Sequence, residues 1–177
     1  YTAQCVDIDN FSASATNFFK EGGKGLNITV PFKHDAYTFA SSLTERAIRA
    51  GAVNTLFINE HNIVVGDNTD GIGLVEDITL RLNWRLKDMR ILIMGAGGAV
   101  RGILEPVIKE SPHSITIVNR TKEKAQKLAN VFSDIFSITA TSYPELNNNE
   151  ASCDFDIIIN ASSASLSGEL PTLPINM

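Results

Sequence analysis

Cysteine and histidine are scarce: the 177 residues include two cysteines and three histidines. Cys5 and Cys153 stand far apart without a CxxC motif, which argues against a disulfide framework or a zinc site and predicts two ordinary buried thiols. His34, His61 and His113 lie beside charged or loop residues and have the spacing of neither a catalytic triad nor a metal site. We therefore expect surface histidines and no bound metal.

Excess positive charge and long apolar runs are also lacking. Fifteen Lys and Arg against twenty Asp and Glu give a formal charge of -5, which argues against a general nucleic-acid or membrane-surface binder. No apolar run reaches the roughly 18 residues of a spanning helix, and Tyr1–Asn10 contain no signal-peptide pattern. We expect a cytoplasmic protein whose partner is neither a nucleic acid nor a membrane.

The two ends of the sequence indicate a piece of a longer protein. The chain begins at Tyr1 without a methionine and stops at Met177, just after the loop-like segment Leu170–Pro174. Its hydrophobic content of 44% is nevertheless enough for a substantial core, in one large domain or two small ones.

Residues 1–70 are predicted to form a small α/β unit. Ser12 is expected to cap a helix that reaches Lys20, Pro31 to open one through Phe39, and Gly51 to end one that covers Thr44–Ala50. The expected strands are Ala3–Ile8, Gly25–Val30, Val53–Ile58 and Asn62–Val65.

From Asp70 onward the pattern changes, and we place a domain boundary there, giving domains at 1–70 and 71–177. Ile72 to Leu82 have the spacing of a connecting helix. Strands and helices then alternate, which is typical of a doubly wound, Rossmann-type parallel sheet. The expected strands are Arg90–Met94, Ser114–Val118, Ile135–Thr139 and Phe155–Ile159; the expected helices are Gly98–Glu110 and Thr121–Phe132.

A glycine-rich segment separates the first of these strands from its helix. It consists of Gly95, Ala96, Gly97, Gly98 and Ala99. Glycines let backbone N–H groups approach a pyrophosphate, and the helix N-terminus favours its negative charge. The sixth position of the usual GxGxxG pattern carries Val100 instead of a small residue, a departure that could set the helix slightly further from the strand.

The end of the second strand indicates which dinucleotide binds. About 25 residues beyond Gly95, where an acid normally receives the NAD ribose, the chain carries Asn119, Arg120, Thr121 and Lys124 and no acid. An arginine can bind the 2′-phosphate of NADP with two hydrogen bonds, and Thr121 can add a hydroxyl donor. The segment therefore predicts NADP, with a solvated basic face as the alternative.

Three polar segments stand at strand ends or turns of the first seventy residues: Gly25–Lys33, Gly51–Thr55 and Gly66–Gly71. Together with Gly-Ala-Gly-Gly-Ala at 95–99 and Asn-Arg-Thr at 119–121, they resemble the shikimate dehydrogenase family in order and in spacing. The resemblance covers nearly the whole chain. It implies a substrate-binding domain followed by a Rossmann-type domain, and the reversible reduction of 3-dehydroshikimate to shikimate with NADPH.

The resemblance also implies roles for individual residues. Lys33 corresponds to the family's catalytic lysine, Asp70 to its partner acid, Thr29 and Asn54 to substrate-hydroxyl ligands, and Glu45 to a position on the cofactor side. The chemistry is consistent, because an ammonium within hydrogen-bond reach can protonate the oxygen of a ketone that accepts a hydride. In the reverse direction, neutral lysine removes that proton.

The resemblance extends to a loop near the end of the chain. Residues Asn160–Ser165 are similar to a family loop beside the cofactor, with Ser165 in place of a glycine. Further substrate contacts are implied before Tyr1 and after Met177, so we expect residues 1–177 alone to be catalytically weak.

Several other interpretations remain open from the sequence. Lys33 could be a surface lysine, Asp70 a helix N-cap, and Asn54 and Thr29 residues that satisfy turns. The protein could also be a quinate/shikimate dehydrogenase with relaxed cofactor use, or a regulatory module that senses NADP and catalyses nothing.

Overall fold

The computed structural model describes residues 1–148 and 154–162. The chain divides into two compact units, Tyr1–Asp70 and Gly71–Met177. No helix within the described ranges is long and apolar enough to cross a membrane. Cys153 and the loop positions 163–165 lie outside the described residues, as do Leu170–Pro174 and Met177.

The first unit combines short helices with a mixed sheet. Its helices are α1 (Phe11–Lys20), α2 (Lys33–Phe39) and α3 (Glu45–Ala50), and its strands are β1 (Gly25–Asn27), β2 (Ser42–Leu43), β3 (Thr55–Ile58) and β4 (Val64–Asp67). The strand order is β1-β3-β4-β2, with β2 parallel to β4 and the other pairs antiparallel. The ladder places Thr55 opposite Asp67, so the polar residues that follow β4 adjoin the start of β3.

The ends of α3 follow from its sequence. The Thr44 hydroxyl accepts a hydrogen bond from the Ala47 amide, which satisfies one of the free N–H groups of the first turn. Gly51 ends the helix with φ 60°, a left-handed conformation that glycine adopts without steric cost. The helix buries Ala47 completely, beside Val53 and Leu56.

Two predictions about the N-terminal residues are wrong. Residues 1–7 form no strand, and a 3₁₀ turn at Ile8–Asn10 follows them. A strand requires a neighbour to satisfy its backbone, and none of the described strands pairs with this segment. Cys5 is exposed rather than buried, because the segment that carries it packs into no core.

Two helix starts in this unit also differ from the prediction. Helix α1 begins at Phe11, so Ser12 lies inside it, and Asn10 occupies the N-cap position. Helix α2 begins at Lys33 rather than Pro31, because the Phe32 amide donates to the Thr29 carbonyl and closes a turn over the proline. The same turn ends β1 at Asn27, before the predicted Val30.

The second unit is a parallel α/β sheet. Its first helix, α4 (Asp70–Glu76), starts at the last residue of the first unit and continues into a π-helical turn at Asp77–Arg81. The other helices are α5 (Gly98–Lys109), α6 (Lys122–Val131) and α7 (Tyr143–Asn148). The strands are β5 (Arg90–Met94), β6 (Ser114–Val118), β7 (Ile138–Thr141) and β8 (Ile157–Asn160). Within the described residues the strand order is β7-β6-β5-β8, all parallel, which is the arrangement of the first four Rossmann strands.

The burial of this sheet's strands explains why the sequence predicts two of them with their correct bounds. Ile91, Ile93, Ile115 and Ile117 are almost completely buried, as expected for strands covered on both faces. The predicted bounds of β5 and β6 are confirmed. Strand β7 begins at Ile138 instead of Ile135, because turns after α6 carry the chain to residue 136, and α7 was not predicted.

Candidate active site

Lys33 and Asp70 form an ion pair in the first unit. Nζ of Lys33, the first residue of α2, donates to Oδ2 of Asp70 at 2.7 Å. The side chains keep 26% and 32% of their exposure, so solvent or a substrate can still reach them. Lys33 and Asp70 are each the first residue of a helix. The helix dipole favours a carboxylate at this position and disfavours an ammonium. The Asp70 carboxylate therefore offsets an unfavourable location of the Lys33 charge.

Asn54 holds the other carboxylate oxygen. Its Nδ2 donates to Oδ1 of Asp70 at 2.6 Å and to the Thr69 hydroxyl at 3.1 Å. Its Oδ1 accepts from the Thr69 amide at 2.9 Å and from the Thr55 hydroxyl at 2.9 Å. Asn54 is only 8% exposed. The buried amide therefore fixes the orientation of the carboxylate that Lys33 contacts, and Asp70 does not use that carboxylate to cap its own helix.

Backbone hydrogen bonds hold these residues together. The Val53 amide donates to the Lys33 carbonyl at 2.9 Å, and the Ile28 amide donates to the Asn54 carbonyl at 2.7 Å. The start of α2 and the end of β1 are thus tied to the segment before β3. Sequence positions 28, 33, 54 and 70 converge because the sheet brings these segments side by side.

Asp67 and Asn68 are part of this network, although the sequence analysis did not single them out as functional residues. The buried Asp67 carboxylate accepts from the Thr44 hydroxyl at 2.7 Å and from Arg46, with Nε of Arg46 at 2.6 Å. Asn68, 2% exposed, donates to the Ala52 carbonyl and accepts from the Asp70 amide. Both residues stand in the polar segment Gly66–Gly71, but their partners Thr44, Arg46 and Ala52 lie 16 to 23 residues away.

Burial and hydrogen bonds act against each other on Asp67. Burial alone would raise the pKa of this carboxyl group, but donation by Arg46, Thr44 and the Asn68 amide outweighs it. The net result is a pKa below the ordinary value, so Asp67 is ionised at neutral pH.

Thr29 and Glu45 do not join the Lys33–Asp70–Asn54 network. Thr29 is exposed, and its hydroxyl has no hydrogen-bond partner among the described residues. Glu45 is the first residue of α3, with its side chain in solvent. Both side chains are accessible, as ligand-binding groups must be.

The glycine turn of the second unit has one constrained and two open positions. Gly95 has φ 108°, and an added Cβ would lie 3.0 Å from the Ala161 carbonyl oxygen, so both conformation and space require glycine. Gly97 is the N-cap of the twelve-residue helix α5. A Cβ at Gly97 or Gly98 would meet nothing within 4 Å. The free space lies at the helix N-terminus, where backbone N–H groups favour anions.

The remaining residues of the turn divide between core and surface. Ala96 packs against the apolar core and Ala99 is exposed. Val100, which departs from the usual small residue, is completely buried among the side chains of the sheet and α5. Its larger side chain is therefore accommodated by packing.

The segment after β6 presents basic groups to solvent. Asn119 orders it, since Nδ2 donates to the Thr121 carbonyl at 2.9 Å. Arg120, Thr121 and Lys124 are exposed, and within the described part of the chain the side chains of Arg120 and Lys124 have no ion pair. Lys122, by contrast, pairs with Glu145 at 2.8 Å. The segment thus has two cations available for an anionic ligand.

The three histidines are exposed, as the sequence predicts. Among the described residues, no group of three or more His, Cys, Asp or Glu side chains is arranged to hold a metal ion.

Comparison with known families identifies the two units. Residues 1–56 match the shikimate dehydrogenase substrate binding domain, and residues 77–167 match the shikimate/quinate 5-dehydrogenase family. The chain belongs to the shikimate/quinate dehydrogenase family. The fold class inferred from the sequence is confirmed.

Individual members of the family show how much of the chain is shared. It is 51% identical to the NADP⁺-dependent shikimate dehydrogenase of Cellvibrio japonicus over 177 residues, which are 100% of this chain and 62% of that protein. It is 50% identical to the corresponding enzyme of Saccharophagus degradans, over 98% of this chain and 63% of the relative. The chain thus spans somewhat over three fifths of the length of these curated relatives.

A solved structure supports the same relationship. The crystal structure of the Ael1 enzyme from Pseudomonas putida superposes with a TM-score of 0.86 and 42% identity, over 95% of this chain and 60% of that one. A further structural relative, a shikimate dehydrogenase in complex with NADP⁺, has a TM-score of 0.75 and 29% identity over 97% of this chain and 57% of its own.

Proposed function

We propose that this protein is an NADP-dependent shikimate dehydrogenase, which reduces 3-dehydroshikimate to shikimate reversibly in the pathway to aromatic amino acids. The observation that carries the proposal is the 2.7 Å contact between Lys33 Nζ and Asp70, whose second oxygen is fixed by Asn54. A regulatory module that only binds NADP has no need for an acid-base pair held in this way. Relatives of known name at about half identity support the same activity.

Lys33 acts as the acid and base. When a ketone carbon receives a hydride, its oxygen becomes an alkoxide that must take up a proton, and the Lys33 ammonium donates it. The lysine is left neutral and recovers a proton from water. Dehydrogenation of the alcohol uses the same atoms in reverse: neutral Lys33 removes the hydroxyl proton. Asp70 orients Nζ toward the reacting oxygen through their hydrogen bond.

Thr29 and Asn54 are proposed to bind substrate hydroxyls. The Thr29 hydroxyl is exposed and unused by the described residues, so it can donate or accept without loss of an existing bond. Asn54 already holds Asp70 and Thr69, and a substrate hydroxyl would compete with Thr69 for its amide. Such exchange leaves the bond from Asn54 to Asp70 in place.

The residues of the second unit fit NADP. The open space at Gly97 and Gly98 admits a pyrophosphate to the N-terminus of α5. Arg120, with Asn119, Thr121 and Lys124, would hold the 2′-phosphate, and Glu45 is a further proposed contact on the cofactor side. When bound, the reduced nicotinamide supplies the hydride for the reaction.

The finer predictions on partners and location accompany this proposal. We propose a small carbocyclic hydroxy acid as the substrate, a cytoplasmic location, and a monomer or homodimer. The formal charge of -5 supports the absence of a nucleic-acid partner.

The test is absorbance at 340 nm, which follows the reduced nicotinamide, with the purified full-length protein. Shikimate and quinate are each supplied with NADP⁺ and with NAD⁺. We expect the highest kcat/KM for shikimate with NADP⁺. Equal rates with quinate and NAD⁺ would favour the relaxed enzyme. Tight NADP⁺ binding without turnover of either alcohol would favour the regulatory module and contradict the proposal.

A further inference from the structure

Beyond the pair that transfers the proton, the first unit contains an ion pair with no assigned role. Arg46 binds Asp67 through two nitrogens, with Nε at 2.6 Å from Oδ1. Asp67 also accepts from the Thr44 hydroxyl and from the Asn68 amide at 2.8 Å. Its side chain is 8% exposed. One buried carboxylate thus receives donors from the start of α3 and from the segment that follows β4.

Asp67 is connected to Asp70 through two intermediate residues. The Asp67 carbonyl accepts from the Asn54 amide at 3.0 Å, and Asn54 binds one carboxylate oxygen of Asp70. The Asp67 carboxylate holds the Asn68 amide, and the Asn68 side chain accepts from the Asp70 amide at 3.3 Å while it donates to Ala52. Both residues that fix Asp70 are therefore fixed by Asp67.

A purely stabilising role explains this arrangement less well. Asp67 is buried, whereas the Arg46 side chain keeps 36% of its exposure. Such a pair contributes little net stability, because lost hydration of the carboxylate and solvent screening of the guanidinium offset their attraction. The surroundings of β4 at this point are apolar: a Cβ on Gly66 would collide with Ala40, Val53 and Leu43. Apolar side chains could fill the same space but would supply no acceptor for the Asn68 amide.

We propose that the Arg46–Asp67 ion pair positions the Lys33–Asp70 pair for proton transfer. Arg46 and Asp67 are positioning residues: neither contacts Lys33, and they act through Asn54 and Asn68. The expected change in kcat rests on the proposed function, whereas the expected change in the position of Lys33 does not.

The main test is Asp67→Asn in the full-length protein. The amide keeps the size of the side chain but places an N–H₂ group against Arg46 or Thr44, which already donate. We expect kcat to fall roughly tenfold while KM for shikimate changes less than twofold, because a misplaced acid lowers the rate more than ground-state binding. Arg46→Lys, which retains charge but not the two-nitrogen geometry, should lose less.

A second readout does not depend on activity. Acetic anhydride labels neutral lysine amines, and mass spectrometry can compare Lys33 with the exposed Lys20 in one sample. A loosened Asp70 should raise the labelling of Lys33 relative to Lys20 several-fold. Global unfolding would raise both and leave the ratio near that of denatured protein.

Two further variants provide controls. Asp156→Asn breaks another Arg–Asp pair with two contacts, Arg90–Asp156, in the second unit, and should leave both readouts unchanged. The double variant Arg46→Met/Asp67→Leu replaces the ion pair with apolar side chains of similar size and provides the second test if Asp67→Asn does not fold. Its kcat should still fall and its Lys33 labelling should still rise.

The outcomes separate the inference from the proposed function. An unchanged kcat and labelling ratio in Asp67→Asn, or full activity in the folded double variant, would overturn the positioning role. An equal fall of kcat in Asp156→Asn would overturn it as well, by showing that the effect is general destabilisation. If the unmodified protein does not turn over shikimate, the proposed function fails, and the labelling ratio alone decides whether Asp67 positions Lys33.

Discussion

In the first unit the side chains of the candidate site hydrogen-bond one another, whereas the basic side chains of the second unit's site point into solvent. Asp70 has both oxygens occupied, by Lys33 and Asn54. Arg120 and Lys124 have no ion pair within the described residues. An acid-base group must be held in one orientation before the substrate arrives, but a phosphate-binding group must keep its donors available. The difference therefore matches proton transfer in one unit and anion binding in the other.

The largest effect should follow the loss of Lys33. We expect Lys33→Ala to lower kcat by about a hundredfold or more, the usual scale for a missing general acid or base. KM for shikimate should change much less, because Asn54 and Thr29 remain. Steady-state kinetics at 340 nm measure both constants. Lys20→Ala, which removes an exposed lysine at the end of α1, serves as the control, and an unchanged turnover in Lys33→Ala would remove this residue from the mechanism.

Arg120→Asp should show the next largest effect and should depend on the cofactor. Charge-assisted hydrogen bonds contribute about 1.5–3 kcal/mol each, so kcat/KM for NADP⁺ should fall roughly ten- to a hundredfold. The value for NAD⁺, which lacks the 2′-phosphate, should be preserved or improved.

Lys127→Asp makes the same charge change further along α6 and tests whether net charge alone is responsible. Equal losses with both cofactors in Arg120→Asp would mean that the arginine maintains the loop and does not select the phosphate.

Alanine substitutions at two glycines of the same turn should affect different properties, cofactor affinity at Gly97 and stability at Gly95. Gly97→Ala meets open space, so thermal stability should be unchanged while NADP⁺ affinity falls about tenfold because the methyl group obstructs the pyrophosphate. Gly95→Ala should lower the free energy of unfolding by about 1–3 kcal/mol, because alanine is strained at φ 108°.

Calorimetry and cofactor titration by fluorescence measure these two properties separately. A destabilised Gly97→Ala, or a stable Gly95→Ala, would show that the turn differs from the structure described above.

The smallest effect concerns the exposed Arg90–Asp156 pair. Hydrogen bonds from Arg90 lower the pKa of Asp156 from 3.8 to about 2. A carboxyl group whose pKa is depressed by folding stabilises the protein above its unfolded pKa and loses that contribution as the pH falls toward the folded value. The Tm difference between the unmodified protein and Asp156→Asn should be constant above about pH 5 and shrink from pH 4 to pH 2. Asp154→Asn, which removes a longer contact at 3.4 Å, should change Tm less. A Tm difference that grows in acid would contradict the assignment.

Local sequence determined the elements whose signals are complete within a few residues. The sequence predicts strands β5 and β6 correctly, because burial on both faces demands the apolar and β-branched residues that they contain. It also predicts the end of α3, because a left-handed backbone favours glycine. Strand Ala3–Ile8 was predicted wrongly for the opposite reason. Its residues are compatible with a strand, but a strand also depends on a neighbour that sequence alone does not supply.

For the candidate site, too, some features depend on local sequence and others on tertiary structure. The sequence determined which residue types stand at strand ends and helix starts, and with the family resemblance it singled out Lys33, Asp70 and Arg120 for chemistry. Only the tertiary structure decided that Asn54 holds Asp70 and that Arg46 meets Asp67 across 21 residues. Such pairings depend on strand register, which places Thr55 beside Asp67, and register is set by the packing of the whole sheet rather than by the residues that it brings together.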